Sequence, residues 1–224
     1  MSQYKTLFFD LDGTLLDTEG DIKACMREAL KELGLSTADF MRNFLIGPPL
    51  FEVAKESLPD ASDEMIETFI RLFRDKYDQI NYPQTFIYPG MGDLLSCAKK
   101  NGLALYIATN KRETPTRRLL NRFEWTGLFN GVYAVDSFPY EKKGKTGILA
   151  QALADLNCRP EESVMIGDTI GDINAGKDLG LATIAFDRGY GDPNDLKNLN
   201  PSLQTSDADQ IARFLGLRNF PKQN

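Results

Sequence analysis

Asp10 and Asp12, within the segment FFDLDGTLLDT at residues 8–18, stand two residues apart at the end of a short apolar run, Thr6 to Phe9. In extended chain the side chains repeat every second residue, so both carboxylates leave the strand end on the same side. Gly13 permits a sharp turn immediately afterwards, and Thr14 adds a hydroxyl donor. A carboxylate pair of this kind can hold a hard cation or work on a small anion beside it. The plain alternative is a turn in which both aspartates cap the next helix. A calcium-binding EF-hand loop does not fit, because the twelfth position counted from Asp10 is Asp21 and not Glu, and Leu16 falls at a liganding position.

The composition narrows the chemistry further. The 224 residues include no histidine, which excludes a Ser-His-Asp triad, a Cys-His pair and an imidazole proton shuttle. Acid-base work near neutral pH then falls to carboxylates or lysine. Cys25, Cys97 and Cys158 are far apart without a CxxC, so neither a four-cysteine zinc site nor a paired disulfide framework is available within one chain. Buried thiols in a reducing cytosol are the expectation. The net charge of -6 disfavours a general nucleic-acid surface while leaving room for a local cationic pocket. The expected partner is therefore a small molecule. No apolar run approaches the roughly 20 residues that span a bilayer, and MSQYKT lacks the layout of a signal peptide, so a soluble cytoplasmic protein with no membrane partner is expected.

Positioning such residues requires a scaffold, and the apolar pattern supplies one. Short runs at Thr6–Phe9, Leu103–Ala108, Val132–Val135, Ser163–Ile166 and Ala182–Phe186 alternate with segments of helical period. Met91, Leu94, Leu95 and Ala98 form one helical stripe ending at Gly102; Ile148, Leu149, Ala152, Leu153 and Leu156 form another, and Ala208–Leu217 reads as a closing helix. The pattern predicts an α/β fold, a Rossmann-like parallel sheet wrapped by helices. From about Thr18 to Phe86 the alternation stops. Ile22, Cys25, Met26, Ala29, Leu30 and Leu33, then Met65–Tyr77, follow helical spacing with no convincing strand between them. A βα connection is normally short, so this stretch reads as an inserted helical unit, 18–86, within a core made of 1–17 and 87–224.

The remaining chemistry falls where this sheet would gather it. Thr109 and Asn110 end the second run, and GDTIGD ends the fourth with Asp168 and Asp172. In open α/β sheets the ligand crevice lies at the carboxyl ends of the strands, so the three sites should converge. Four aspartates in one crevice need compensation, and an all-oxygen donor set selects a hard divalent ion such as Mg2+. The basic cluster Lys142, Lys143 and Lys145, just before the Ile148–Leu149 helical face, can add a positive side chain.

With these motifs in order, the sequence resembles the haloacid dehalogenase superfamily and, within it, the phosphoglycolate phosphatase-like group that carries a helical cap. DLDGT matches the first motif, ATN the second, a lysine the third and GDTIGD the fourth. The resemblance implies that Asp10 is a nucleophile forming an aspartyl-phosphate and that Asp12 is the acid-base residue for the leaving oxygen and then for water. It implies that Thr109, Asn110 and a lysine hold the phosphoryl group. It also implies that Asp10, the backbone carbonyl of Asp12, Asp168 and Asp172 bind or support Mg2+. Many relatives have Lys-Pro at the third motif, whereas this chain reads EKKGKTGIL; Lys145 is the preferred lysine and Lys143 the alternative. The implied activity is hydrolysis of a small phosphomonoester such as phosphoglycolate, a nucleotide or a sugar phosphate, by a monomer or homodimer. Two alternatives stand beside it: a phosphomutase of the beta-phosphoglucomutase type and a phospho-acceptor module without turnover. Phe44–Leu50, with Arg42 beside it, reads either as a substrate-contacting cap loop or as a proline-broken connection, and Lys111-Arg112 either as functional charges or as solvated ones.

Overall fold

A computed structural model describes residues 2–137 and 144–221, apart from the side chains of Asp39 and Asn43. Strand β1 (Thr6–Phe9) and the two-residue β2 (Leu16–Asp17) lead into helices α1 (Glu19–Glu32), α2 (Thr37–Asn43), α3 (Leu50–Ser57) and α4 (Asp63–Gln79). After β3 (Phe86–Ile87), helices and strands alternate: α5 (Met91–Lys100), β4 (Ala104–Thr109), α6 (Glu113–Arg122), β5 (Gly131–Ala134), α7 (Gly144–Leu156), β6 (Ser163–Gly167) and α8 (Ile170–Asp178). The chain closes with β7 (Ala182–Phe186), α9 (Pro193–Asn198), β8 (Leu203–Thr205) and α10 (Ala208–Phe214).

Six strands form one parallel sheet in the order β5-β4-β1-β6-β7-β8, which makes it the α/β, Rossmann-like architecture that the alternating pattern predicts. Every residue of β1 is buried, as a central parallel strand covered on both faces requires. On one face Phe8 and Met165 pack with Ile148, Leu149 and Ala175 of α7 and α8. Burying a side chain such as Phe8 contributes about 2–3 kcal/mol. On another contact of β1, Phe9 meets Phe129 edge to face at 6.3 Å.

The sheet order changes direction at β1: the chain proceeds to β4 and β5 on one side and to β6, β7 and β8 on the other. That reversal opens a crevice at the carboxyl ends of the strands. The register fixes what faces it. Phe9 lies level with Ile107 and with Ile166, so Asp10, Ala108 and Gly167 come next on three adjacent strands.

Contacts divide the chain into two compact units, 1–17 with 87–224, and 18–86. The second unit is helical. Phe40 packs on Phe44 and Phe69, and Phe73, Tyr77 and Tyr82 form a second aromatic run. Its buried Asp21 accepts hydrogen bonds from the Gln84 N–H at 3.0 Å and the Thr85 hydroxyl at 2.7 Å, tying the first helix to the end of the unit. The strands β2, β3 and β8 and the helix α6 carry no pattern that the sequence reading picks up, being either two or three residues long or, for α6, rich in arginine with Pro115 in its first turn.

Candidate active site

The site is built from the ends of β1, β4 and β6 and the start of α7. Asp10, 4% exposed, continues β1, with its N–H on the Ile166 carbonyl at 2.9 Å. Its Oδ1 accepts from the Leu11 N–H at 2.8 Å and pairs with Lys145 Nζ at 2.9 Å, which fixes the plane of the carboxylate. Lys145, in the first turn of α7, also reaches Asp172 Oδ1 at 2.8 Å and donates to the Ala108 carbonyl at 2.8 Å. The alternative lysine, Lys143, and its neighbour Lys142 lie outside the described residues.

Asp168 follows β6 and is fully enclosed. Thr14 donates its hydroxyl to Asp168 Oδ1 at 2.8 Å, and the Tyr190 N–H donates to Oδ2 at 2.7 Å. The chain packs so closely here that glycine is required: a Cβ at Gly13, where φ is +83°, would lie 2.2 Å from Asp168 Oδ2, and one at Gly189 would lie 2.2 Å from Asp168 Cβ. Asp172, also fully buried, occupies the third helical position of α8. Its Oδ2 accepts from the Thr169 N–H at 3.0 Å and hydroxyl at 2.7 Å, while the Asp172 N–H points back to Thr169 Oγ1, forming a capping box.

Asp12 stands apart from this group. Lys111 donates to both of its carboxylate oxygens at 3.0 Å, with side-chain exposures of 7% for the lysine and 12% for the aspartate. Thr109 is buried at the end of β4, its Oγ1 accepting the Lys111 N–H at 3.2 Å, and Asn110 follows half-buried.

Burial and crowding together set the electrostatics. Desolvation, reinforced by Asp172 and Asp12 and opposed by Lys145, raises the Asp10 carboxyl from 3.8 to about 6. Desolvation also raises Asp168 well above the carboxylate range, with Asp172 and Asp10 adding to it and Tyr190 and Thr14 opposing. Burial alone would lower Lys145, but Asp10 and Asp172 outweigh it and raise the ammonium.

Carboxylate oxygens of Asp10, Asp168 and Asp172 lie within 4.8 Å of one another. With all four carboxylates ionised, the two ammonium groups of Lys111 and Lys145 would leave two negative charges unbalanced in a buried space, the excess that, on top of burial, raises Asp10 and Asp168 in the metal-free chain. An all-oxygen donor set with that excess fits a hard divalent cation. A separate cavity of about 750 Å³, lined by Pro89, Arg188, Asp207, Arg213 and Phe220 among others, contains none of these groups, so volume alone does not locate the chemistry.

The structure brings Asp10, Asp12, Thr109, Lys145, Asp168 and Asp172 to the same edge of the sheet, with Asn110 next to Thr109. From sequence Lys111 is ambiguous, and Tyr190, Gly189 and Thr169 carry no signal that marks them as part of the site. Lys111 could have been found from its place directly after Thr109-Asn110; Tyr190 contributes a backbone N–H, which residue type does not signal.

The profile of the family described as haloacid dehalogenase-like hydrolase matches residues 7–186. Among similar proteins, a phosphoglycolate phosphatase of Psychrobacter arcticus is 30% identical over 97% of this chain and 98% of its own length. The tyrosine-protein kinase PtkA of Mycobacterium tuberculosis is 30% identical over 94% of this chain and 72% of its own. Among solved structures, a haloacid dehalogenase-like family hydrolase from Streptococcus pneumoniae superposes with a TM-score of 0.82 at 28% identity, covering 96% of this chain and 99% of that one.

Proposed function

The chain belongs to the haloacid dehalogenase-like hydrolase family as a phosphoglycolate phosphatase-like phosphatase, and from that premise we propose that it is a Mg2+-dependent phosphomonoesterase working through an aspartyl-phosphate on Asp10. The observation that carries this reading is the convergence of Asp10, Lys145, Asp168 and Asp172, with Asp12 two residues beyond the nucleophile.

Asp10 attacks phosphorus as the ester bond breaks, and Asp12 gives its proton to the departing oxygen. In the second half-reaction Asp12 takes a proton from water, whose oxygen attacks phosphorus and releases phosphate and free Asp10. Lys145 holds the nucleophile in place and, with Thr109 and Asn110, receives the phosphoryl oxygens. Asp10, Asp168 and the Asp12 carbonyl would hold Mg2+, with Asp172 as ligand or support. The ion supplies charge neutralisation for the transferring group. Residues 18–86 form the cap that selects the leaving group, and the substrate is a small phosphorylated metabolite, with phosphoglycolate the first candidate because of the relatives' name.

The test is a panel of phosphate esters, including phosphoglycolate, mononucleotides and hexose phosphates, assayed with Mg2+ for release of free phosphate. Wild-type hydrolysis that disappears in Asp10→Asn supports the reading. Return of the phosphoryl group to a second hydroxyl of the product would mean a mutase instead, and activity surviving in Asp10→Asn would sink the nucleophile assignment.

A further inference from the structure

Two lysines enter the site, and they divide it between them. Lys145 contacts Asp10 and Asp172, whereas Lys111 contacts Asp12 and donates to both of its oxygens at 3.0 Å. A lysine side chain only 7% exposed is unusual unless paired, so this is not a solvated surface charge. Its position is also fixed independently of Asp12. Lys111 sits two residues beyond the end of β4, and its N–H is held by Thr109 Oγ1 at 3.2 Å. Because β4 pairs directly with β1 in parallel register, the lysine and the aspartate leave neighbouring strands in the same direction.

An aspartate at a strand end can rotate about its side-chain bonds, and a proton donor or acceptor works only when held within about 0.5 Å of its productive position. Engaging both oxygens removes that freedom. We propose that Lys111 is a positioning residue for Asp12: it orients the acid-base carboxylate toward the leaving oxygen without itself holding the phosphoryl group. This rests on the phosphatase reading above and adds a residue to it.

The proposal makes Lys111 matter where Asp12 matters. An ester with a poor leaving group needs protonation of its departing oxygen, whereas an aryl phosphate with a good leaving group needs it little. The experiment compares kcat/KM for an alkyl phosphate and for p-nitrophenyl phosphate in wild type, Lys111→Met, Lys111→Arg, Asp12→Asn and the double variant. Lys111→Met should lower the alkyl-to-aryl ratio by about tenfold to a hundredfold. Lys111→Arg, which keeps a cationic donor able to reach both oxygens, should recover part of it, and the double variant should be no worse than Asp12→Asn alone. Equal losses on both esters, or losses that multiply in the double variant, would mean that Lys111 serves the phosphoryl group or the fold and would overturn the inference. Crystal structures of wild type and Lys111→Met give a readout independent of turnover: the Asp12 carboxylate should change orientation in the variant, and an unmoved Asp12 would overturn the proposal. A wild type inert on every ester would instead count against the phosphatase reading, leaving the structural comparison to decide the role of Lys111.

Discussion

In the unit made of residues 1–17 and 87–224, the interior includes four aspartates and Lys145 at one sheet edge, with Lys111 nearly as enclosed. In the 18–86 unit, the charged side chain buried among the described residues is Asp21, and the rest of the interior is dominated by aliphatic and aromatic packing such as Phe40 on Phe69. Asp21 spends its oxygens on Gln84 and Thr85, neighbours that close its own unit. The contrast separates two uses of buried charge. In the helical unit a single carboxylate is satisfied by neutral donors and fastens the chain. In the sheet unit the carboxylates crowd one another, and burial raises two of them, a cost to folding that fits the proposed use of this edge for chemistry.

The largest expected effect breaks this contrast at its centre. Asp10→Asn should reduce turnover by on the order of 10⁴-fold or more. It should leave the melting temperature equal or higher near neutral pH, because it removes a desolvated charge while Lys145 keeps Asp172. A large fall in melting temperature would show that Asp10 is structural, as Asp21 is. Next comes the metal. EDTA should abolish hydrolysis and Mg2+ restore it, while Ca2+, which prefers a larger and looser shell, should inhibit. Full activity in EDTA would remove the cation from the site.

A pH experiment sharpens the same point. Asp10 is raised from 3.8 to about 6 and Asp168 is raised as well, so between about pH 4 and pH 6 the folded metal-free chain binds protons that the unfolded chain has released. Stability of the metal-free protein should therefore fall as pH rises through that window. The gain in melting temperature from Mg2+ should be larger at about pH 7.5 than at about pH 5, where protons compete. An equal gain at both values would detach the ion from these carboxylates.

Three smaller effects test the helical unit. Asp21→Ala leaves the Gln84 N–H and Thr85 hydroxyl without their acceptor and should cost about 1–3 kcal/mol by denaturant unfolding. Arg42→Ala, combined with substitutions at Ile46 and Leu50, should lower kcat/KM for the best natural ester more than for a small aryl phosphate. Equal losses would make the segment a spacer. Lys55→Ala should stay within about 0.5 kcal/mol of wild type, because its ion pair with Asp63 is exposed on both sides.

The strands that build the aspartate-bearing edge are legible because buried parallel strands are continuous apolar runs, and Thr6–Phe9 and Ala182–Phe186 appear with those same limits. Asp10, Asp12, Asp168 and Asp172 were legible because strand ends in such a sheet point to one crevice. Phe44–Leu50, legible either as a substrate-contacting loop or as a proline-broken connection, joins α2 to α3, with Phe44 stacked on Phe40 and Leu45 60% exposed; its contact with substrate is a proposal. Lys111 was ambiguous because nothing local distinguishes a lysine that turns inward from one that is solvated; only the β1–β4 pairing supplies its partner. The Gly189–Tyr190 turn was invisible for a different reason. It acts through a backbone N–H and through the lack of side-chain bulk, neither of which has a periodicity.

The capping box of α8 has a consequence for how many bonds the site can offer. Asp172 Oδ2 is already committed to Thr169, Asp168 receives a donor on each oxygen, and Asp10 Oδ1 is shared between Leu11 and Lys145. None of the three carboxylates can turn both oxygens fully toward a guest without surrendering an existing partner. If they hold a cation, a grip through one oxygen apiece would disturb these bonds least and would leave positions for water and substrate oxygens. On the proposed reading, a cation held here would draw few bonds from the protein and would complete its shell with water, which suits an ion content with six short bonds better than one that needs seven or eight.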